Sequence, residues 1–311
     1  MNTYKKSKQN ILVMYSTDQP SEEHLNTLSR IAPDHNVVHV SSEAEAVSHA
    51  EHATIILGHR YLWQVLPYAK QLEWVQSSAA GIDHLLTKDL LSLRPILTTT
   101  PIFADVIAFH AISLAFTLIR KSCSVDFSGQ YPGGIPRKVM ILGTGHIGKK
   151  IAKFLRQFDC DIIGVNTGRD SSVEGFDKLI GYRQDWKAGI GSVDILFISL
   201  PNTPETKEIV DLSVIDRLKE HACIVNVGRG TTIDHHALLA RLETGKISAG
   251  LDVVDSVDQT VLNRLRLLPN VIITPKTATF HPERRQKFEH YAEEQLQRYI
   301  LREPLRNIYE Y

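Results

Sequence analysis

A glycine-rich loop near the middle of the chain is the first group of residues whose spacing suggests chemistry. The loop follows an apolar run at 138–142 and consists of Gly143, Thr144, Gly145, His146, Ile147 and Gly148. Between a strand and a helix, glycines at the first, third and sixth positions permit a tight turn, let a pyrophosphate approach the backbone and allow close helix–strand packing. The N-terminus of the following helix then offers N–H donors to the anion. Because another apolar run follows at 161–165, we interpret the loop as a dinucleotide-binding loop rather than a structural glycine turn.

The residues that follow the run at 161–165 bear on which dinucleotide would bind. Sites for NAD usually place Asp or Glu there, and the carboxylate accepts hydrogen bonds from the ribose hydroxyls. This chain has Asn166 and Thr167 instead, and its first carboxylate is Asp170. Neutral side chains remove the repulsion that a 2′-phosphate would meet, and Arg169 could pair with it. We therefore favour NADP as the cofactor. NAD stays the alternative, and Arg169 would then be a solvated loop cation.

The composition argues against several classes of protein. The chain has 311 residues, and its 35 basic and 35 acidic side chains give a formal net charge of zero. Nucleic-acid binders usually carry a basic surplus, so we expect no nucleic-acid partner. An apolar content of 43% is enough for a sizeable core, and the length suggests about two domains of roughly 150 residues each. Three cysteines without paired spacing predict neither a disulfide framework nor a metal site, and they favour a reducing compartment.

The hydrophobic segments are too short for a membrane protein. The longest apolar stretch, at 107–119, contains His110, Ser113 and Thr117 and falls short of the roughly 18 residues that a membrane span needs. After the basic amino terminus only residues 11–15 are apolar, whereas a secretory leader needs about 7–15 such residues. The sequence therefore predicts a soluble, cytoplasmic protein that does not contact a membrane.

Short apolar runs alternate with helix-like segments in two sets. We predict strands at 11–15, 36–40, 54–58, 72–76 and 96–99, and again at 138–142, 161–165, 194–200, 223–227, 248–253 and 271–274. A helix at 104–122, buried on most of its surface, and a loop at 124–136 should separate the sets, and an amphipathic helix at 284–301 should close the chain. Alternating strands and helices predict an α/β fold with parallel sheets.

Five motifs along the chain together resemble one enzyme family. They are SSAAGID at 77–83, LPNTPET at 200–206, IVNVGRG at 224–230, GLDV at 250–253 and PNVIITP at 269–275. In order and spacing they resemble the D-isomer-specific 2-hydroxyacid dehydrogenases, a family that includes glyoxylate/hydroxypyruvate reductases and phosphoglycerate dehydrogenases. The resemblance extends from about residue 72 to residue 279.

The resemblance implies an architecture and an activity. The fold would be formate/glycerate dehydrogenase-like: a Rossmann nucleotide-binding domain, residues 100–277, inserted into a flavodoxin-like substrate domain, residues 1–99 and 278–311. The active site would lie in the cleft between the domains, and members are typically homodimers. The implied activity is hydride transfer between NAD(P)H and C2 of a small 2-oxo acid of the glyoxylate or hydroxypyruvate kind, giving a D-2-hydroxy acid.

The resemblance also assigns roles to residues. Arg229 would bind the substrate carboxylate and polarise its C2 carbonyl, because negative charge develops on the carbonyl oxygen as hydride arrives. The backbone N–H groups of Ala80 and Gly81 would hold the same carboxylate. Asp252 would hold the nicotinamide carboxamide. The remaining cofactor positions carried over from the family are Pro201, Thr206, Val227 and Gly228.

Two positions depart from the family pattern, and both bear on proton transfer. The family has a histidine after Thr-Pro as general acid and a glutamate that orients it and raises its pKa, whereas this chain has Lys276 and Val257. A lysine, with an ordinary pKa of about 10.4, needs no carboxylate to hold its proton, and burial against an apolar neighbour lowers that pKa. We expect Lys276, partly buried against Val257, to donate the proton instead.

A second hypothesis stays open beside the enzyme. The chain would then be a catalytically impaired dinucleotide-binding sensor or regulator on the same fold, with Lys276 a solvated cation. Arg229 favours the enzyme, since a pure dinucleotide sensor needs no carboxylate anchor. His84 and His281 are further candidate proton donors, although histidines in such places are more often structural.

Overall fold

A computed structural model describes residues 9–16, 19–120, 134–168, 172–254 and 257–311. The chain divides into two compact units, Met1–Ile102 with His281–Tyr311, and Phe103–Phe280. Most of the loop predicted at 124–136, together with Arg169, lies outside the described residues.

The first unit is built on a parallel sheet of five strands. Its elements begin with β1 (Gln9–Met14), α1 (Glu22–Ile31), β2 (His35–His39), α2 (Glu43–Ser48), β3 (Ala53–Gly58), α3 (Leu62–Val65), β4 (Trp74–Gln76), α4 (Lys88–Leu93) and β5 (Ile96–Thr98). The strand order β2-β1-β3-β4-β5 is the flavodoxin-like order. All six residues of β3 are buried, as expected for a central strand covered on both faces.

The second unit is built on a parallel sheet of seven strands. Its elements are α5 (Ala104–Ile119), β6 (Lys138–Leu142), α6 (His146–Leu155), β7 (Asp161–Asn166), β8 (Lys178–Gly181), β9 (Ile195–Ile198), α7 (Leu212–Ile215), β10 (Cys223–Asn226), α8 (His235–Glu243), β11 (Ser248–Leu251), α9 (Gln259–Arg266) and β12 (Val271–Ile273). The order is β12-β11-β10-β9-β6-β7-β8. Counted from β6 this is the Rossmann order 3-2-1-4-5-6 with one further strand. The predicted α/β fold class, Rossmann and flavodoxin-like, is confirmed.

The chain closes with α10 (Arg284–Ile300), which belongs to the first unit. Phe288, Tyr291, Ala292 and Leu296 of the predicted apolar face are buried, so the amphipathic helix is confirmed. Glu289 is buried as well, because its carboxylate accepts hydrogen bonds from the backbone N–H and the hydroxyl of Ser21, at 2.7 and 3.0 Å. This pairing attaches α10 to the start of α1.

Each strand predicted from the sequence is present within two residues of its predicted ends, but β8 was missed. Strand β8 contains only two apolar residues and is half-buried at the sheet edge, so its hydrophobic signal is weak. The prediction that α5 is buried on most of its surface holds in part: five of its residues are buried, nine are half-buried, and Phe109 and Ser113 are exposed. Its buried residues are Ala104, Ala108, Ala111, Leu114 and Ala115. The opposite side of the helix includes Phe109, which is 65% exposed.

Other features of the described residues concern membranes, metals and thiols. Among these residues, no helix is long and apolar enough to cross a membrane. They also contain no group of three or more His, Cys, Asp or Glu that could hold a metal ion. Cys160 and Cys223 are buried free thiols, and burial raises the pKa of Cys223 to about 12. A thiol with so high a pKa is inert at neutral pH.

Candidate active site

The glycine loop turns tightly between β6 and α6. Gly143 has a φ of +98°, in the left-handed region that glycine adopts without strain. Its N–H donates to the carbonyl oxygen of Val165 at 2.9 Å, which fixes the loop to the end of β7. A Cβ at Gly143 would lie 2.9 Å from the carbonyl oxygen of Ser199. The first glycine of the motif is therefore required by both backbone conformation and space.

The other two glycines of the loop have opposite surroundings. A Cβ at Gly148 would lie 2.0 Å from the carbonyl oxygen of Gly143, so α6 packs too closely for any other residue. A Cβ at Gly145 would meet nothing within 4 Å. Gly145 is the N-cap of α6, and no described side chain caps that helix end. Open space beside an uncapped helix N-terminus fits the pyrophosphate of a dinucleotide.

Neutral residues lie at the carboxyl end of β7, where the adenosine ribose of a bound dinucleotide is expected. The side-chain oxygen of Asn166 accepts a hydrogen bond from the N–H of Gly168 at 2.7 Å. Its backbone carbonyl oxygen accepts a hydrogen bond from the backbone N–H of Tyr182, also at 2.7 Å. Thr167 is exposed. No carboxylate therefore stands among the described residues of this strand end.

The loop that carries Arg229 is held by a residue that sequence reasoning missed. Asn226 is fully buried; its side-chain oxygen accepts from the N–H of Gly228, and its amide donates to the carbonyl oxygen of Arg229, both at 3.0 Å. A Cβ at Gly228 would lie 2.6 Å from the carbonyl oxygen of Leu200. The half-buried Arg229 donates from Nη1 to the carbonyl oxygen of Gly228 at 3.0 Å, so its own turn orients the guanidinium. An Asn directly before a Gly-flanked turn is the signal that could have revealed Asn226.

The neighbouring loop after β9 is held by hydrogen bonds between its own residues. The hydroxyl of Thr206 donates to the carbonyl oxygen of Pro201 at 2.6 Å and accepts from the N–H of Thr203 at 2.9 Å. Val227 is buried, and its N–H donates to the carbonyl oxygen of Ile198 at 3.0 Å. Pro201, Thr206, Val227 and Gly228 thus follow the carboxyl ends of adjacent strands in the same sheet as the glycine loop.

Asp252 organises the turn after β12. The residue is only 3% exposed, and its Oδ1 accepts hydrogen bonds from the Thr274 hydroxyl at 2.6 Å and the Thr277 N–H at 2.9 Å. Its carbonyl oxygen accepts from the N–H of Lys276 at 2.9 Å. Asp252 therefore fixes the backbone that carries Lys276, and its nicotinamide contact stays a prediction.

Lys276 does not have the surroundings expected from the sequence. Its φ of +56° places it in the left-handed region, which costs a non-glycine residue about 1–2 kcal/mol. The residue is exposed, so the expected burial against Val257 is wrong. Val257 instead packs against the main hydrophobic core of the second unit. The physical reason is the conformation of the turn: the backbone N–H groups of Lys276 and Thr277 donate to Asp252, and the side chain of Lys276 is left exposed.

His110 of α5 reaches the same turn. Its Nε2 lies 3.0 Å from the Thr274 hydroxyl oxygen and 3.5 Å from Oδ1 of Asp252. Because the Thr274 hydroxyl donates to Asp252, it accepts from His110. Sequence reasoning did not anticipate this contact, since 164 residues separate its two partners.

In the first unit, the loop of Ala80 and Gly81 follows β4 and is held by His59. The Nδ1 atom of His59 accepts the N–H of Ser78 at 3.2 Å, and the Ser77 hydroxyl accepts the N–H of Ala79 at 3.1 Å. Burial, and secondarily the charge of His84, lowers the pKa of His59 to about 4. His59 is therefore a neutral acceptor at physiological pH and helps to fix the loop.

This lowered pKa predicts acid sensitivity. Below about pH 6.5 the imidazole of His59 takes up a proton in the unfolded chain but not in the folded one. The free energy of unfolding should therefore fall between about pH 6.5 and about pH 4, and by pH 5 His59 alone should lower it by about 2 kcal/mol. His59→Gln keeps an acceptor for the N–H of Ser78 but cannot take up this proton. Between pH 7 and pH 5, we expect its free energy of unfolding, measured in urea, to fall by about 2 kcal/mol less than that of the wild type. His235, whose pKa burial also lowers to about 4, is present in both proteins and cancels. Equal pH dependence of the two proteins would contradict the assignment.

The remaining candidate proton donors are placed as follows. His84 is exposed, with its ring centroid 5.3 Å from that of His59. His281 is half-buried, and its Nδ1 accepts from the N–H of Glu283 at 3.1 Å. His281 thus supports the start of α10.

Comparison with known proteins gives consistent matches. The family model described as "D-isomer specific 2-hydroxyacid dehydrogenase, NAD binding domain" matches residues 133–278. A probable 2-ketogluconate reductase of Dictyostelium discoideum is 30% identical over 234 residues, 69% of each chain. A D-isomer specific 2-hydroxyacid dehydrogenase family protein of Aeromonas salmonicida has a similar structure, with a TM-score of 0.75 and 27% identity over 98% of this chain and 99% of that one. An NADPH-dependent glyoxylate/hydroxypyruvate reductase of Sinorhizobium meliloti, solved with NADP and malonate, shares the fold with a TM-score of 0.75 at 21% identity over 97% of each chain.

Proposed function

This chain belongs to the D-isomer-specific 2-hydroxyacid dehydrogenase family, and on that premise we propose that it reduces a small 2-oxo acid of the glyoxylate or hydroxypyruvate kind with Lys276 as proton donor. As a member of this family, the chain is an NAD(P)-dependent oxidoreductase that transfers a hydride between the nicotinamide and C2 of a 2-oxo acid or D-2-hydroxy acid. The relative from Dictyostelium, a probable 2-ketogluconate reductase, supports a 2-oxo acid as the substrate.

The residues of the second unit fit a nicotinamide dinucleotide. The open space at Gly145 and the neutral end of β7 suit its phosphates and ribose. The residues that would hold it are Gly143, Thr144, Gly145, His146, Ile147, Gly148, Asn166, Thr167, Pro201, Thr206, Val227, Gly228 and Asp252. When bound, the reduced nicotinamide supplies the hydride. We propose NADP as the preferred form.

The orientation of Arg229 is the single observation that carries the proposal. The guanidinium donates to the carbonyl oxygen of Gly228 in its own turn, and Asn226 fixes that turn. The turn follows β10, in the same parallel sheet as the strand that precedes the glycine loop. We assign Arg229 to the carboxylate and carbonyl oxygens of the substrate, where a forked donor stabilises the charge that develops during reduction. A protein that only senses dinucleotide needs no such anchor.

We assign the proton to Lys276. As hydride reaches C2, the carbonyl oxygen becomes an alkoxide and takes a proton from the Lys276 ammonium, which water then reprotonates. The hydrogen bond from the Lys276 N–H to Asp252 supports a fixed position for this residue. In the first unit, the N–H groups of Ala80 and Gly81 are proposed to bind the substrate carboxylate.

Two further properties are proposed. The apolar side of α5 that exposes Phe109 supports a homodimer packed through the second unit. The buried free thiols of Cys160 and Cys223 support a reducing, cytoplasmic location, and the zero net charge supports the absence of a nucleic-acid partner.

The alternative is a catalytically impaired sensor, favoured by the exchange of the family's histidine and glutamate for Lys276 and Val257. Oxidation of NADPH, followed at 340 nm with a panel of 2-oxo acids, separates the two functions. We expect turnover by the wild type and a loss of about 10²- to 10⁴-fold in kcat for Lys276→Ala, while Lys70→Ala at another exposed lysine matches the wild type. An inactive wild type that gains activity as Lys276→His would establish the sensor. Full activity of Lys276→Ala would show that the proton comes from another group.

A further inference from the structure

The turn after β8 lies beside the strand end where the adenosine ribose is expected. Strands β7 and β8 pair in parallel, with Asn166 opposite Gly181, and the N–H of Tyr182 donates to the carbonyl oxygen of Asn166 at 2.7 Å. The Cβ that Gly168 lacks would lie 3.9 Å from the Cα of Gly181. The turns that follow the two strands are therefore in contact, and a ribose bound at the end of β7 would lie next to both.

The position that would repel a 2′-phosphate is neutral. In sites for NAD a carboxylate at the end of this strand accepts hydrogen bonds from the ribose, and it would repel a phosphate there. Here Asn166 occupies the strand end, and its side-chain oxygen accepts the N–H of Gly168. Asn166, Thr167 and Gly168 themselves thus carry no charge that would repel an anion.

A cation is fixed at the turn after β8. Arg183 is exposed; its Nε donates to the Tyr182 hydroxyl at 3.0 Å, and its Cζ lies 5.5 Å from the centre of the Tyr182 ring. Gln184 holds the base of the turn, because its side-chain oxygen accepts from the N–H of Gly181 at 2.9 Å. Among the described residues, none accepts a hydrogen bond from the two Nη groups of Arg183, and these are the groups that bind phosphate oxygens in a fork.

The loop after β9, which is predicted to lie on the adenosine side of the cofactor, also interacts with Arg183. Glu205 exerts an electrostatic attraction on Arg183, and it lies in the loop that Pro201 and Thr206 close. The family resemblance assigns Pro201 and Thr206 to the cofactor. Arg183 thus follows the strand beside β7 and interacts electrostatically with the loop after β9, which is proposed to hold the adenosine side of the cofactor.

We propose that Arg183 binds the 2′-phosphate of the adenosine ribose and makes the chain prefer NADP(H) over NAD(H). The Tyr182 hydroxyl and ring hold the guanidinium in place, and the phosphate takes the two Nη groups. The inference rests on the proposed dinucleotide site, but it requires neither Lys276 nor catalytic turnover.

Calorimetric titration of the full chain with 2′,5′-ADP and with 5′-ADP tests the proposal without any reaction. We expect the wild type to bind 2′,5′-ADP at least about 10-fold more tightly, and Arg183→Ala to weaken 2′,5′-ADP about 10- to 100-fold while 5′-ADP changes less than about twofold. Arg183→Lys keeps the charge without the fork and should fall between them. Arg217→Ala, at another exposed arginine of the same unit, should match the wild type.

The outcomes separate this proposal from the one on which it rests. If 5′-ADP binds but the 2′-phosphate adds no affinity, or if Arg183→Ala weakens both nucleotides equally, the role of Arg183 is wrong and the dinucleotide site stands. If neither nucleotide binds the wild type, the dinucleotide site itself is wrong and the role of Arg183 falls with it.

Discussion

Replacing Arg229 with glutamine is expected to lower kcat/KM for a 2-oxo acid by about 10³-fold, because the amide cannot neutralise the charge that develops on the carbonyl oxygen. Affinity for NADPH should stay within about twofold of the wild type, since the assigned contacts of Arg229 are to the substrate. Steady-state rates at 340 nm and titration of NADPH fluorescence measure the two quantities.

Arg229→Lys is the matched variant. It keeps a cation but loses the fork that reaches two oxygens, so an intermediate loss is expected. Because the turn is held mainly by Asn226, neither variant should lower the melting temperature appreciably. Wild-type kcat/KM in Arg229→Gln, or a loss confined to NADPH binding, would contradict the assigned role.

Gly148→Ala is expected to be the most damaging single-methyl change in the cofactor loop. The added Cβ would lie 2.0 Å from the carbonyl oxygen of Gly143, so α6 or the loop must shift, at a cost of about 3 kcal/mol. A displaced loop can no longer approach the pyrophosphate, and NADPH affinity should fall about 100-fold or more. Thermal unfolding and NADPH titration measure both effects.

Gly145→Ala is the control for that prediction, because its Cβ would meet no protein atom within 4 Å. We expect this variant to keep the melting temperature of the wild type and to lose NADPH affinity, since the methyl group occupies the space assigned to the pyrophosphate. Undiminished NADPH binding by Gly145→Ala would place the pyrophosphate elsewhere. Normal stability of Gly148→Ala would contradict the close packing of α6.

Much of the fold could be predicted from the sequence because buried parallel strands have continuous apolar runs. The exceptions have physical causes. Strand β8 lies at a sheet edge and needs few apolar residues, so its pattern is too short to detect. Helix α5 is apolar on nearly all sides, yet burial depends on what packs against each side, and a sequence does not state that.

The sequence motifs of the candidate site could be predicted, but the residues that hold those motifs in place could not. The glycine loop has a fixed spacing because its backbone makes the contacts. Asn226, His59 and His110 act through hydrogen bonds to groups of other segments, and their residue types alone do not reveal those partners. The exposure of Lys276 was also missed, because the left-handed turn held by Asp252 decides where that residue lies.

The most direct test of the central claim follows the hydride itself. NADPH deuterated stereospecifically at C4 of the nicotinamide, in each of its two configurations, is incubated with the wild type and hydroxypyruvate, and the product is analysed by mass spectrometry and chiral chromatography. Transfer by this chain predicts one deuterium at C2 of a D-2-hydroxy acid from one of the two labelled forms. Recovery of unreacted hydroxypyruvate and labelled NADPH from both incubations, with the cofactor bound, would contradict it.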